Sequence, residues 1–373
     1  MPAPNVWPFF IEAGSSESVE YFTNVLTTFG KEQRIRLRQF PRVMFKYVHF
    51  MEQDEAALAT AIIRDSAFTG DFHVPVWSEL EKIEGEVLSS DTVLSFDTTN
   101  GSYNSGFVFV WENNNSWVLA EIASVTSGSI TLTEAIGTSL SSPLVMPVRR
   151  CFMSGPAETS VISSNARFSV SFTARDSFEV DADSIPTFSD YPVYPFDNFN
   201  VRNTLQTISR VVEYFDNGFG LVQVEPYRDD IYPSTNVTMS YNGIEEKTAI
   251  RKFISLMGGK QKPFFLPTFR TDLIPLTDST TQIIIKSGYP TSTLVGRAIR
   301  IEQKSGAVLY NRISGVSGST LTLSQTSPQT VGPTLTKSIS LMDLYRGQSD
   351  TFEFPLNMYG NGYVSFTAEE ITE

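Results

Sequence analysis

Short segments recur in the same order across the two halves of the chain, and that recurrence constrains the fold more than any other feature of the sequence. Val-Glu-Tyr-Phe stands at Val19–Phe22 and again at Val212–Phe215, 193 positions apart (212 − 19). Phe72-His73-Val74-Pro75, followed by Trp77 and Leu80, matches Phe264-Phe265-Leu266-Pro267, followed by Phe269 and Leu273, at an offset of 192 (267 − 75). Ile122–Thr133 aligns without a gap to Ile313–Ser324 at 191 (313 − 122), and Val-Ser-Phe-Thr-Ala at Val170–Ala174 returns at Val364–Ala368 at 194 (364 − 170). One four-residue match carries little weight. Four ordered landmarks at nearly constant spacing indicate a tandem duplication with diverged halves.

The length of 373 residues suits two domains of roughly 180 residues, each large enough for its own core. Within each half the same order of elements is expected. An aromatic-proline entry (Trp7-Pro8-Phe9-Phe10; Tyr194-Pro195-Phe196) is followed by strands over 34–38 and 43–50, or 220–225 and 237–241. An amphipathic helix comes next. In Ile244–Met257 the residues Ala249, Ile250, Phe253, Ile254 and Met257 repeat at three and four, which lays one face on a sheet. Asp54–Ser66 places Leu58, Ile62 and Ile63 similarly, and Gly70 or Gly258-Gly259 supplies the stop. Four or five short strands in ~60 residues then suggest a small barrel or sandwich, before a closing strand that carries Val-Ser-Phe-Thr-Ala. The fold class is mainly β (α+β): two tandem repeats, each a sheet plus one helix with an inserted β module. The first repeat is expected over 1–183 with its module at about 85–150, and the second over 184–373 with its module at about 275–340. Residues 176–195, acidic and carrying Pro186, Pro192 and Pro195, serve as connector.

The composition excludes several classes. The net charge of −13 disfavours specific nucleic-acid binding, which needs a basic face. No apolar run reaches the ~20 residues of a membrane helix, so no membrane anchor is expected. The start of the chain does not read as a secretory signal, and the single cysteine, Cys151, reads as a small buried hydrophobe. Assembly in the cytosol is the expectation.

Chemistry-bearing motifs are sparse. His49 and His73 lie inside strand patterns without metal-ligand spacing around them, and there is no phosphate loop, zinc-protease motif or nucleophile elbow. Carboxylates gather at Glu79, Glu81 and Glu84 and at Asp176, Glu179, Asp181 and Asp183; a glycosidase pair among them is a minor alternative to surface charge. The reading is therefore no enzyme, no catalytic residues, no metal and no cofactor. Arg34, Arg36 and Arg38 alternate with period two and share a strand face. That face is either solvated or meets an acidic surface on a neighbouring subunit, and it is the candidate subunit interface. Trp77, Trp111 and Trp117 could stack on a pyranose, although strand-borne tryptophans more often fill a core or an interface.

The sequence Gly258-Gly-Lys-Gln-Lys-Pro-Phe-Phe-Leu-Pro-Thr-Phe-Arg-Thr-Asp272-Leu273 directly after the amphipathic helix, with its companion Gly70-Asp-Phe-His-Val-Pro-Val-Trp77, resembles minor-tail or distal-tail proteins of tailed bacteriophages of the siphophage type. The resemblance spans both halves and departs from single-unit distal-tail proteins in having two units per chain. It implies a tail-tube-like sheet-and-helix unit that assembles in rings, with the inserted modules outside. It further implies a structural role in the virion tail tip or baseplate, as a distal-tail or hub adaptor linking the tail tube protein to tip and hub proteins. Two units per chain favour a trimeric ring with pseudo-sixfold symmetry over a hexamer. The alternative function is a receptor- or carbohydrate-binding tail protein whose inserted modules, with Trp111 and Trp117, hold the sugar.

Overall fold

The computed structural model describes residues 5–28, 31–66, 70–103, 106–162, 164–176, 184–196, 206–209, 212–216, 218, 223–226, 232–286, 291–356 and 360–371. The acidic stretch 177–183 of the expected connector and residues 220–222 of the strand expected over 220–225 lie outside them.

The chain is mainly β. Strands β1 (Ser15–Glu20), β2 (Thr23–Thr28), β3 (Lys31–Arg36) and β4 (Arg42–Glu52) lead into α1 (Gln53–Ser66) and β5 (Phe72–Pro75). Seven strands follow: β6 (Glu81–Lys82), β7 (Glu86–Val87), β8 (Val93–Ser95), β9 (Phe107–Asn113), β10 (Ser116–Thr126), β11 (Ser129–Leu132) and β12 (Leu140–Ser141). Then come β13 (Leu144–Met153), β14 (Glu158–Ile162) and β15 (Asn165–Ala174), and a small hairpin of β16 (Thr187–Phe188) and β17 (Tyr191–Pro192). The second half runs β18 (Gln206–Ser209), β19 (Val212–Phe215), β20 (Gln223–Pro226), β21 (Tyr232–Asn242), α2 (Ile244–Met257) and β22 (Pro263–Pro267). It ends with β23 (Gln282–Ile284), β24 (Ala298–Gln303), β25 (Val308–Ser317), β26 (Thr320–Leu323), β27 (Thr336–Gly347), β28 (Thr351–Leu356) and β29 (Asn361–Glu370).

Local sequence explains the two sheet-to-helix corners. β4 alternates Val43, Phe45 and Tyr47 inward, and β21 does the same with Val237, Met239 and Tyr241. Each then meets a helix whose first-turn glutamate reaches back to the strand: Glu55 accepts the Glu52 N–H at 3.0 Å and Glu246 accepts the Asn242 N–H at 2.7 Å. These contacts satisfy amide donors and place acid at the positive end of the helix. α2 stops at Gly258, whose left-handed φ of 60° and N–H bond to the Ile254 carbonyl make a glycine C-terminal cap. α1 buries Ala56 and Ala59, with Ile62 and Ile63 packed at the margin, whereas Leu58, expected on the packed face, is 47% exposed. The alanines let α1 lie closer to its sheet than leucine would permit.

Both large sheets are antiparallel. The first has the order β28-β1-β4-β15-β13-β9-β10-β11-β8, with β14 on β15 and β5 and β6 on β13. The second has β18-β21-β29-β27-β24-β25-β26-β23, with β22 on β27. Strand for strand the orders coincide, from β1 and β18 at one end to β8 and β23 at the other. The hairpins β2-β3 and β19-β20 stand apart in both halves. Even an irregularity repeats: the β10-β11 ladder shifts register between Ile122 and Ser124, and the β25-β26 ladder shifts between Ile313 and Gly315, 191 positions on.

Two of the sequence landmarks occupy different places from those expected. Val-Glu-Tyr-Phe at 19–22 ends β1, where Val19 faces Val43, whereas at 212–215 it forms β19, in the separate hairpin. Those copies are not equivalent positions. Val-Ser-Phe-Thr-Ala lies in β15 and β29, the corresponding strands, but Val170 faces Tyr47 while Val364 faces Met239, where Val237 takes the place of Tyr47. The slip is two residues. A slip of two keeps Val and Phe on the core face, so the motif survives it.

Each large sheet carries two cores. Phe45, Tyr47, Phe168 and Phe172 pack with Trp7, Phe9 and α1 on one part of the first sheet, while Leu94, Val108, Val110, Ile130 and Val145 form a second cluster. β13 belongs to both, with Val145 in the second cluster and Cys151 in the first with Phe172, so residue 150, near which a module boundary is expected, lies inside a continuous strand. The second half repeats the division, with Met239, Phe253, Phe264 and Phe366 in one core and Ile299, Ile313, Leu321 and Ile339 in the other.

β28 differs from β14. It leaves its own half to pair with β1, from Ser15↔Leu356 to Glu20↔Thr351, burying Phe352, Phe354 and Leu356. Phe354→Ala is expected to cost about 3–5 kcal/mol by cavity formation, whereas Val161→Ala, in exposed β14, stays within about 0.5 kcal/mol. Urea unfolding of the two variants checks the contrast.

Candidate functional site

The densest constellation of charged side chains lies where the two sheets meet. β1 is the outermost strand of the first sheet's own set, and its alternation sends Glu17 and Val19 inward. α2 presents Lys247 and Arg251, one turn apart, on a single face. The two faces meet. Lys247 Nζ donates to Glu17 Oε2 at 2.8 Å, and Arg251 donates one Nη to Glu17 Oε1 and the other to Glu79 Oε1. Glu79 sits in the short 3-10 turn Trp77–Glu79 and also accepts the Ser102 amide at 2.7 Å, while the Ser78 hydroxyl donates to Glu17 Oε2 at 2.7 Å. Glu17, Glu79, Lys247 and Arg251 are all buried, none above 5% exposed. Phe354 from β28 lies against both cations, 5.4 Å from Lys247 Nζ and 5.7 Å from Arg251 Cζ, a cation–π arrangement.

Two carboxylates and two cations balance to zero, the condition under which buried charge is tolerated. Burial alone would raise Glu17, but the charges of Arg251 and Lys247 outweigh it and hold the carboxyl at about 2. Burial, and after it the Arg251 charge, brings Lys247 down to about 8 in spite of Glu17. A cavity of about 300 Å³ adjoins the cluster, lined by Trp77, Glu81, Tyr241, Lys247 and Leu356 among others.

Around the charges the two halves exchange core residues. Val19 and Tyr21 of the first half pack among Ile250, Phe253 and Phe352, and Leu356 of the second packs into the first core. Asp350 fastens the rim: its carboxylate accepts the Thr23 amide at 2.9 Å, the Thr23 hydroxyl at 2.9 Å and the Lys260 amide at 3.0 Å. A backbone ladder, an apolar exchange and a neutralised ion cluster thus coincide at one junction.

The three arginines border this junction. Arg34, on β3, pairs with Glu32 at 2.9 Å and donates to the carbonyls of Lys260 and Gly347 in the second half. Arg36 lies over the Tyr21 ring and donates to the carbonyls of Arg38 and Gln39. Arg38 lies beyond the end of β3, bonds Glu20 at 2.9 Å and covers Phe22. The second half meets Arg34 with backbone carbonyls. Trp77 is buried, and Trp111 is stacked on Phe10 at 5.4 Å with its Nε1–H donated to the Pro8 carbonyl. Trp117 is half-buried against Phe109.

His49 is locked as a neutral ring: Trp7 Nε1–H donates to its Nε2 at 3.0 Å and its Nδ1 bonds the Phe10 carbonyl at 2.7 Å. Burial lowers its pKa to about 4. Among the described residues no group of three or more His, Cys, Asp or Glu has the geometry to hold a metal ion, and no helix is long and apolar enough to cross a membrane. Among Asp176, Glu179, Asp181 and Asp183, only Asp176 lies within the described residues, where it pairs with Arg149 at 2.6 Å. No protein-family model matches the chain, and no curated protein matches it by sequence.

The ion cluster was not legible in the sequence, since Glu17 and Lys247 are 230 positions apart. One local signal existed: Lys247 and Arg251 interleave with Ile250 and Ile254 on the buried face of the helix.

Removing one charge strands the others, so Arg251→Met is expected to destabilise by about 3–5 kcal/mol; adding Glu17→Gln and Glu79→Gln recovers a large part of that in urea unfolding. Acid acts in two stages. His49 stays neutral in the fold down to about 4 but protonates near 6.5 when unfolded, so stability falls between pH 6.5 and 4. Glu17 contributes fully above its unfolded value of 4.5, and its contribution is lost as the pH falls toward 2. Melting temperature against pH should decline in these two stages, with His49→Gln removing the upper one.

Proposed function

We propose that the chain is a ring-forming structural component of a bacteriophage tail tip or baseplate, a distal-tail or hub-adaptor protein that joins the tail tube to tip proteins. The reading takes the chain as a duplicated sheet-and-helix unit, each copy carrying an inserted β module. The observation that carries it is the shared strand order of the two sheets together with the β1–β28 ladder. Two like units sit side by side in one chain through a head-to-tail contact, in which the β1 edge of one receives a strand and the helix face of the other. A contact of that kind is heterologous: repeated with closure it generates a ring. The aromatic and proline segments after each helix, Phe72–Trp77 and Phe264–Phe269, supply the resemblance to phage tail proteins.

In this reading three chains supply six units, so a trimer meets a six-fold tube on one side and a three-fold tip on the other; a hexamer of chains is the alternative stoichiometry. The modules built on β8–β11 and β23–β26 project away from the junction side of each sheet order and form the periphery of the ring. The role is mechanical. The charges of the buried cluster are committed to one another, which suits a joint and not a reaction centre. Assembly takes place in the host cytoplasm, and the finished ring resides in the virion.

Native mass spectrometry across a concentration series tests this reading. The expected result is a dominant closed trimer, and a chain that remains monomeric throughout overturns it.

A further inference from the structure

The β28–β1 contact is made once within the chain, yet the chain carries a second copy of each partner. β14 stands where β28 stands in strand order, between β13 and β15 as β28 is between β27 and β29. β18 stands where β1 stands, at the end of its sheet, and among the described residues no strand pairs with its outer edge. We propose that β14 of one chain adds to the β18 edge of a second copy of this chain, with α1 covering the seam as α2 covers it within the chain. This rests on the ring reading above and names the strands that close the ring.

Three observations converge on a second copy as the occupant. Among the described residues β14 is held by β15 alone, and it exposes Glu158, Thr159, Ser160 and Val161, the last at 68%. The helix faces differ in the same sense. On α2 the junction face, including Lys247, Arg251 and Ile254, is covered; counted from the helix starts the α1 counterparts are Ala56, Thr60 and Ile63, of which Ala56 is already buried in the first core and Thr60 borders an open groove with Ala57, Ala61, Arg64 and Asp65.

The third observation is the fate of the four buried charges. β4 and β21 both end at the corner before their helix, at Glu52 and Asn242. Glu20 faces Arg42 at the start of β4 and Ser209 faces Tyr232 at the start of β21, so the position of Glu17 in β1 is taken by Gln206 in β18. Counting on from Pro75 and Pro267 the position of Glu79 falls on Thr271, and counting back from the matched Leu80 and Leu273 it falls on Asp272, so of the two carboxylates the clear loss is that of Glu17. On the helices, counted from Gln53 and Ile244, Lys247 and Arg251 correspond to Ala56 and Thr60. Both cations are absent from the α1 positions and the Glu17 carboxylate is absent from β18. If the α1 face and the β18 side never met, nothing would tie the two losses together. If they meet between chains, either loss alone would bury an unpaired charge, at a cost that forbids assembly.

The internal ladder supplies a register for the external one. Within the chain Ser18 faces Glu353. Aligning Ala157, Thr159 and Val161 with the inward residues Phe352, Phe354 and Leu356 makes Glu158 the counterpart of Glu353, and Thr207 is the counterpart of Ser18. Glu158 of one copy then faces Thr207 of the next. Directly opposed residues of an antiparallel pair bring their Cβ atoms within disulfide reach.

The test is oxidation of the full chain carrying Glu158→Cys and Thr207→Cys, beside Ser18→Cys with Glu353→Cys as the within-chain reference. The native Cys151 is buried and takes no part. Expected are a monomeric crosslink for the reference and a ladder of covalent multimers for the test pair, absent from either single variant. Assembly that proceeds by native mass spectrometry while the test pair stays non-covalent and the reference closes would overturn the strand addition and leave the ring reading standing. A chain that never assembles removes both. Charge gives a second readout: Thr60→Arg alone should weaken assembly at least tenfold, and Gln206→Glu in the same chain should restore it. Thr60→Arg that assembles like the native chain would contradict the proposed seam.

Discussion

Everything at the centre of this molecule depends on Arg251 finding two carboxylates from the other half of the chain. Its guanidinium joins Glu17 on a strand to Glu79 on a 3-10 turn, and Lys247 completes the neutralisation. Desolvating four charges is costly, and the cluster does not by itself explain why the halves adhere. Adhesion comes from the apolar exchange around it, in which Phe352, Phe354 and Tyr21 are buried, and from the β1–β28 ladder. The charges fix which surfaces meet and in what register, because a displaced pairing would strand a buried ion. Directionality is what a head-to-tail joint requires.

In the proposed assembly a duplicated unit makes one permanent and one conditional contact with nearly the same geometry. Within the chain the donated strand carries Phe, Phe and Leu toward the core, and the seam holds paired charges. The counterparts in the first half are Ala157, just before β14, and Thr159 and Val161 within it, with Ala56 and Thr60 on the helix. Smaller apolar side chains and neutral polar ones give up less when exposed to water, which suits a surface that the proposed assembly leaves open in the free chain.

Much of the fold was legible in the sequence, and the misses have physical causes. Ile122–Thr133 and Ile313–Ser324 align residue by residue because a two-strand turn with a bulge tolerates no insertion; the bulge itself recurs. α2 was readable from its three-and-four spacing and its glycine stop. Val-Glu-Tyr-Phe misled because alternating apolar and polar residues satisfy many strands, and the copies fell on β1 and β19. Leu58 misled because helix periodicity does not distinguish a leucine stripe from the adjacent alanine stripe that packs. The alternation of Arg34 and Arg36 on β3 was readable, although the strand ends before Arg38. Their acceptors, largely carbonyl oxygens, were not, since backbone carbonyls leave no trace in composition. The pairing of Glu17 with Arg251 was hidden by sequence distance alone.

The account's central claim is that one junction geometry is used twice, once inside the chain and once between chains. A cryo-electron microscopy reconstruction of the assembled protein, resolved well enough to trace strands, tests it most directly. The account predicts a closed ring in which charged β28–β1 junctions and neutral β14–β18 junctions alternate, with the small modules outermost. Chains related by a two-fold axis with β18 paired to β18, or joined through their modules, would contradict it.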